Sequence, residues 1–323
     1  MLNNLPYKSK QFFFVLIKLS IVAGAFYFIF QKLSDTKQLN WIDFIDLLIE
    51  KNVFSARNIF FLIMLSMLNW LFEILKWQFL VKTIQPISFK RAMEQSLASH
   101  TASLITPNRI GDYGAKMIYF KSEFRTKIVM LNLIGNLSQM TITVIIGVAG
   151  LLFLVNQHPI TVDYFKIIQL LLFVIVAISL VGYLLRRTPF IIKGFSWAEI
   201  KIFFLQLSRK LIQNVLSLSL LRYLIFSFQF YLLLLLFAVE LNYYNAMIII
   251  SSMYLLVSVI PMLFIFDVVV KGGIALFLFE FAGVDALIIL SVITLMWLLN
   301  VVVPAVFGSF YVLNFNVVKP SEL

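Results

Sequence analysis

Residues 128–155 read IVMLNLIGNLSQMTITVIIGVAGLLFLV, 28 consecutive positions without a charged side chain. That run exceeds the roughly 20 residues an α-helix needs to cross about 30 Å of hydrocarbon. Lipid offers no water to backbone N–H and C=O groups, so the segment must close its own hydrogen bonds as a helix. Further apolar runs lie on either side, at about 12–30, 59–81, 165–185, 211–239, 246–266 and 284–313. Hydrophobic residues make up 62% of the 323 positions and charged ones 13%, about half the charge share of a soluble protein. The expectation is an all-α polytopic integral membrane protein of about seven to eight transmembrane helices, folded as a single membrane domain over 1–323. No polar stretch approaches the roughly 100 residues of a soluble catalytic module.

The charge pattern sets an orientation. Positions 82–127 carry eight Lys or Arg and 186–210 carry six, whereas 156–164 and 241–245 carry none. The positive-inside rule puts the two basic segments in the cytoplasm and the two short ones outside. The N-terminus is then cytoplasmic in a multi-pass protein of the cell (inner) membrane. Four basic residues at 31–58 run against this pattern, accompanied by Asp35, Asp43, Asp46 and Glu50. Ala23-Gly24-Ala25 resembles a signal cleavage site, but large apolar residues continue to Phe30, so the first run reads as an uncleaved anchor. The net charge of +11 is spread by loop, without the basic aromatic face of a nucleic-acid binder. There is no cysteine, and His100 and His158 are isolated imidazoles. Disulfide and thiolate chemistry are thereby excluded, and neither a metal site nor a cofactor is expected.

Two segments are too short or too polar for ordinary spans. One, 92–106, is rich in small residues and ends at Pro107; the other, 268–282, contains Gly272-Gly273. Each is associated with an acid four residues before a lysine beside glycine: Asp112 and Lys116 next to Gly111, and Asp267 and Lys271 next to Gly272 and Gly273. Interrupted helices are tolerated at membrane depth where protein or a wet cavity satisfies the freed backbone, so both segments are expected to be broken or re-entrant. Proline lies five residues before Asp112 and six before Asp267. This suggests an internal repeat with halves at about 59–155 and 246–313. Either pair also reads as a simple intrahelical salt bridge. Asn132, Asn136, Gln139 and Thr143 recur along one face of the 128–155 run, as interhelical glue or as cavity lining. Lys76 is expected to snorkel to the interface. Arg222 is expected to meet either an anionic head group or Glu73.

The layout Thr106-Pro107-Asn108-Arg109-Ile110-Gly111-Asp112-Tyr113 through Lys116, followed by Pro261, Asp267, Lys271-Gly272-Gly273, Asn300, Pro304 and Gly308, resembles the membrane domain of lysylphosphatidylglycerol synthase and its stand-alone relatives. In that family the first motif carries glutamate where this chain has Asp112. The second carries Gly-Gly-x-Gly and an Arg-Glu pair that this chain lacks. The resemblance implies a flippase-like role in lipid transport, without the soluble domain that performs lysyl transfer.

Together these readings predict binding or translocation of an anionic lipid, a phospholipid or a polyprenyl-linked lipid. Arg109, Lys116 and Lys271 would meet the head group, with Asn132, Asn136, Gln139 and Arg222 around it. Asp112 and Asp267 would hold the lysines, while Gly111, Gly272 and Gly273 would admit close backbone approach. No residue is assigned a catalytic role. The alternatives are a membrane-embedded enzyme acting on such a lipid, with Asp112 or Asp267 as general base, and an assembly factor without a substrate. Membrane lipids are the expected partners, besides a homo-oligomer or a membrane enzyme.

Overall fold

In the computed structural model, described residues comprise 41–51, 53, 55–104, 106, 109–157, 197–259 and 267–315, with isolated helical positions at 19, 20, 23 and 27. The described regular elements are all helical: α1 (Trp41–Glu50), α2 (Ala56–Val81), α3 (Phe89–Leu104), α4 (Ile110–Ile118), α5 (Arg125–Gln157), α6 (Trp197–Gln206), α7 (Arg209–Leu236), α8 (Tyr243–Val259), α9 (Asp267–Glu280), α10 (Ala286–Trp297), a π-helical turn (Leu298–Val302) and α11 (Val303–Asn314). Four stretches are long and apolar enough to cross a membrane: α2, α5, α7 and the continuous rod Ala286–Asn314. Helix α8 is a shorter apolar helix. The runs expected at 12–30 and 165–185, together with His158, Pro107 and Pro261, lie outside the described residues apart from those isolated positions.

The starts of three long helices follow from single capping side chains. Ser55 accepts from the Asn58 N–H at the head of α2, and Ser208 accepts from Leu211 at the head of α7. Asp285 takes the N–H groups of Leu287 and Ile288 at the head of α10. Each satisfies a donor that the first helical turn leaves without a partner.

The break expected at Gly272-Gly273 needs correcting. Over the described residues α3 and α9 are unbroken helices, and Gly272-Gly273 lies inside α9. Glycine costs about 1 kcal/mol relative to alanine in a helix interior, and in an apolar surrounding the backbone has no better partner than its own ladder. At 16 and 14 residues both helices still fall short of the roughly 20 needed to span.

Packing places α3 at the centre of the polar region. It runs against α2, α4 and α11, and its buried face includes Gln95, Ser96, Ser99, His100, Thr101 and Ser103. A Cβ at Gly308 of α11 would collide with the Leu97 carbonyl, and one at Gly111 of α4 with the Ala102 carbonyl. Both glycines therefore set how closely their helices approach α3. Apolar packing is divided between two clusters. One joins α7 to α8, α9 and α10 through Phe230, Phe237, Ile250 and Phe279. The other joins α2 to α5 and the start of α7 through Trp77, Leu80, Ile128 and Val215.

Candidate functional site

The site begins with a backbone problem in the last span. Pro304 has no N–H, so the Asn300 carbonyl one turn earlier loses its helical partner. The chain winds through a π turn, in which the Val303 N–H reaches back to Leu298. Three successive carbonyls are taken up by neighbouring helices: Ser66 Oγ donates to Leu299 O at 2.7 Å, Trp70 Nε1 to Asn300 O at 3.2 Å, and His100 Nε2 to Val301 O at 3.2 Å. A carbonyl only accepts, so the His100 hydrogen in this contact sits on Nε2. π turns concentrate at functional positions.

From Asn300 a polar chain crosses the bundle. Its Nδ2 donates to Gln229 Oε1 at 2.9 Å and its Oδ1 accepts from Asn69 Nδ2 at 2.9 Å. Asn69 Oδ1 accepts from Arg222 Nε at 3.1 Å, and Gln229 Nε2 donates to the Leu62 carbonyl at 2.9 Å. A guanidinium only donates and a carbonyl only accepts, so the two ends of the chain fix all three amide orientations. Arg222 Nη1 then meets Glu73 Oε2 at 2.6 Å, and Lys76 Nζ meets the same oxygen at 2.7 Å.

Two expectations are resolved here. Lys76 does not snorkel: its side chain is 3% exposed and paired, because Glu73 stands one turn away and Arg222 completes the site from α7. Of the two partners open to Arg222, Glu73 is one the structure supplies. The guanidinium nevertheless stays 24% exposed on a cavity wall.

A second cluster sits on α4 and α5. Lys116 Nζ contacts Asp112 Oδ1 at 3.1 Å and Asn132 Oδ1 at 2.8 Å, while Asn132 Nδ2 donates to Asp112 Oδ2 at 2.6 Å. The same ammonium lies 4.6 Å from the centre of the Trp77 ring, a cation–π contact. Three hydrogens thus meet three partners. Arg109 precedes α4 in the left-handed region, with φ of 56°, a conformation costing a non-glycine residue roughly 1–2 kcal/mol. The corner is closed by Thr106, whose hydroxyl donates to Ser103 O and accepts from the Gly111 N–H.

The clusters share one cavity of about 650 Å³, within the ordinary size range of a small-molecule site. Arg109, Asp112, Lys116, Asn136, Gln139, Arg222 and Lys271 line it, and so do Glu73, His100 and Asn300. Phe226, Phe230, Met253 and Trp297 give it an apolar side. Asn132 stands behind the wall, holding Lys116. Gly111 acts in the packing of α4 on α3, whereas Gly273 faces open space and Gly272 is in ordinary contact with Leu290. The Asp267 side chain lies outside the described residues, so of the second acid–lysine pair only Lys271 is placed in the cavity.

Sequence reasoning left out Asn69, Trp70 and His100 as lining residues. Pro304 four residues after Asn300 was the available signal, since it frees a carbonyl that a neighbour must take. Among the described residues no group of three or more His, Cys, Asp or Glu side chains is arranged to hold a metal ion. Comparison with protein-family models, with curated proteins and with solved structures gives no match.

Proposed function

We propose that the protein binds the head group of an anionic lipid in this cavity and carries it between leaflets in a flippase-like manner. The observation that carries the reading is the composition of the described lining. It offers four cations, Arg109, Lys116, Arg222 and Lys271, against two carboxylates, Glu73 and Asp112. Charge at membrane depth is expensive and marks ion or substrate paths. An excess of fixed cations beside an aromatic wall suits a phosphate with a chain attached. The resemblance to the lysylphosphatidylglycerol synthase membrane domain points the same way. So does the basic-loop pattern, which orients such a protein with its N-terminus in the cytoplasm of the inner membrane.

Both oxygens of Asp112 are engaged by Lys116 and Asn132, which favours a positioning role over that of a general base. The test is native mass spectrometry of the protein extracted gently from membranes, paired with leaflet exchange of labelled lipid in vesicles. Retention of an anionic lipid, with exchange above protein-free vesicles, is expected. Retention without exchange would leave a lipid-binding scaffold; chemical turnover of the lipid would make it an enzyme.

A further inference from the structure

We infer that the anionic group this cavity takes is joined to a neutral, hydroxyl-bearing ring, a sugar or cyclitol, which lies against α5, α7 and α8. The inference rests on the reading of the cavity as a head-group site. Among the described residues, α5 and α8 contribute no charged side chain to the lining, and none of the three helices contributes a carboxylate. Along α5 a neutral row leads away from the ionic end. Asn132 holds Lys116, and the lining residues Asn136, Gln139 and Thr143 follow at roughly 6, 10 and 16 Å along the axis, at about 1.5 Å per residue. That length leaves room for a ring beyond a phosphate.

Three side chains of this wall carry polar atoms that lack a partner: Gln139 Oε1, Tyr223 OH and Tyr254 OH. Tyr223 is only 6% exposed, and all three atoms are closed to bulk water. Their partner therefore has to come from within the cavity, met by small turns of the side chains that line it. The chemistry of that partner follows from Gln139. Its Nε2 donates to the Ser219 carbonyl at 3.4 Å, which fixes the amide and leaves Oε1, an atom that only accepts. An ionised phosphate oxygen also only accepts, so it cannot serve there. A hydroxyl donates to Oε1 and meets a phenol in either sense. An ammonium donates too, but it would bring charge at membrane depth to a wall without a carboxylate.

The aromatic side chains beside these groups supply the rest of the match. Tyr254 lies edge-on to Tyr223 with centroids 6.0 Å apart and tilted against Phe226 at 5.4 Å, and all three line the cavity. The C–H face of a sugar ring packs on an aromatic face, whose π electrons attract its partly positive hydrogens. Hydroxyls around the edge of the ring then meet the phenols and Gln139. A plain alkyl ester of the phosphate leaves the same polar atoms unpaired, and a hydrogen-bonding site turns that loss into discrimination.

The test holds charge fixed and varies the ring. The full-length protein is reconstituted in nanodiscs of phosphatidylcholine containing phosphatidylinositol, phosphatidylglycerol or phosphatidylethanol with the same acyl chains, and bound lipid is counted by native mass spectrometry. Each of the three brings one phosphodiester charge, so the cations of the cavity treat them alike. Phosphatidylinositol should be retained about tenfold or more over phosphatidylethanol, with phosphatidylglycerol, which has hydroxyls and no ring, in between. Tyr223→Phe and Tyr254→Phe should each lower the phosphatidylinositol to phosphatidylethanol ratio. The melting temperature should stay near that of the wild type, because neither hydroxyl has a partner to lose. Equal retention of these two lipids, or a ratio unmoved in both Phe variants, overturns the inference and leaves the head-group reading standing. Phosphatidylglycerol held as tightly as phosphatidylinositol overturns the ring. No anionic lipid held above phosphatidylcholine overturns both the inference and the reading beneath it.

Discussion

The two polar clusters facing the cavity are built on different scales. Glu73 gathers Lys76 from three residues away and Arg222 from 149 away, then extends through Asn69 to Asn300, 231 positions along the chain. Asp112 gathers Lys116 from four residues away and Asn132 from 20 away. The first cluster ties α2 to α7 and the π turn, so its loss disturbs several helices at once. The second belongs to one corner and the helix after it, and can change with little disturbance to the rest. A charged site at membrane depth thus separates into a part that joins distant helices and a part confined to one corner.

The largest effect should come from Glu73→Gln. Removing the carboxylate leaves Lys76 and Arg222 facing each other without an anion, and breaking one member of a buried ionic group costs about 3–5 kcal/mol. Thermal unfolding in detergent should show a large fall or outright loss of folded protein. A small shift would mean that water fills the cluster and that the division between the two regions is false.

Asn300→Leu should come next, at about 2–3 kcal/mol, because it strands Asn69 Nδ2 and Gln229 Oε1 inside the bundle. The Asn69→Leu and Asn300→Leu double mutant should cost less than the sum of the singles, and additivity would break the proposed chain.

Exchange of Asp112 and Lys116, as Asp112→Lys with Lys116→Asp, should cost only about 1 kcal/mol. Asn132 can reverse its amide to serve both, but the carboxylate would then face the Trp77 ring and lose the cation–π contact. The protein should fold and lose anionic lipid from its native mass spectrum. Wild-type retention in the swapped protein would return the pair to a structural role.

The smallest effect has the opposite sign. Arg109→Gly relieves the left-handed backbone and should raise stability by up to about 1 kcal/mol while lowering lipid retention. A fall in stability would show that the arginine side chain braces the corner.

Much of the bundle was legible because hydropathy and capping are local. The runs at 59–81, 128–155, 211–239 and 284–313 correspond to α2, α5, α7 and the Ala286–Asn314 rod, and Ser55, Ser208 and Asp285 shift their starts by only a few positions. The Asp112–Lys116 pair was legible for the same reason, one helical turn being visible in sequence. Lys76 was misread because its fate depends on Arg222, which no local window contains. Gly272-Gly273 was misread as a break because the water that penalises glycine in soluble helices is missing here. Placement of probes at Gln157 and Tyr244 on one side of the membrane, with Lys90 and Lys193 on the other, remains the direct check on the loop pattern.

The π turn carries a mechanical consequence. Its three consecutive carbonyls are each gripped from outside, by Ser66 and Trp70 of α2 and by His100 of α3. Two grips come from one face of α2, at i and i+4, and the third from α3, so rotation of the rod about its own axis would break hydrogen bonds to both helices. The rod is therefore keyed like a spline in a hub: it turns only if α2 and α3 turn with it. Any rocking about the cavity must use these three elements as the stator, and α4, packed on α3 through Gly111, belongs with them.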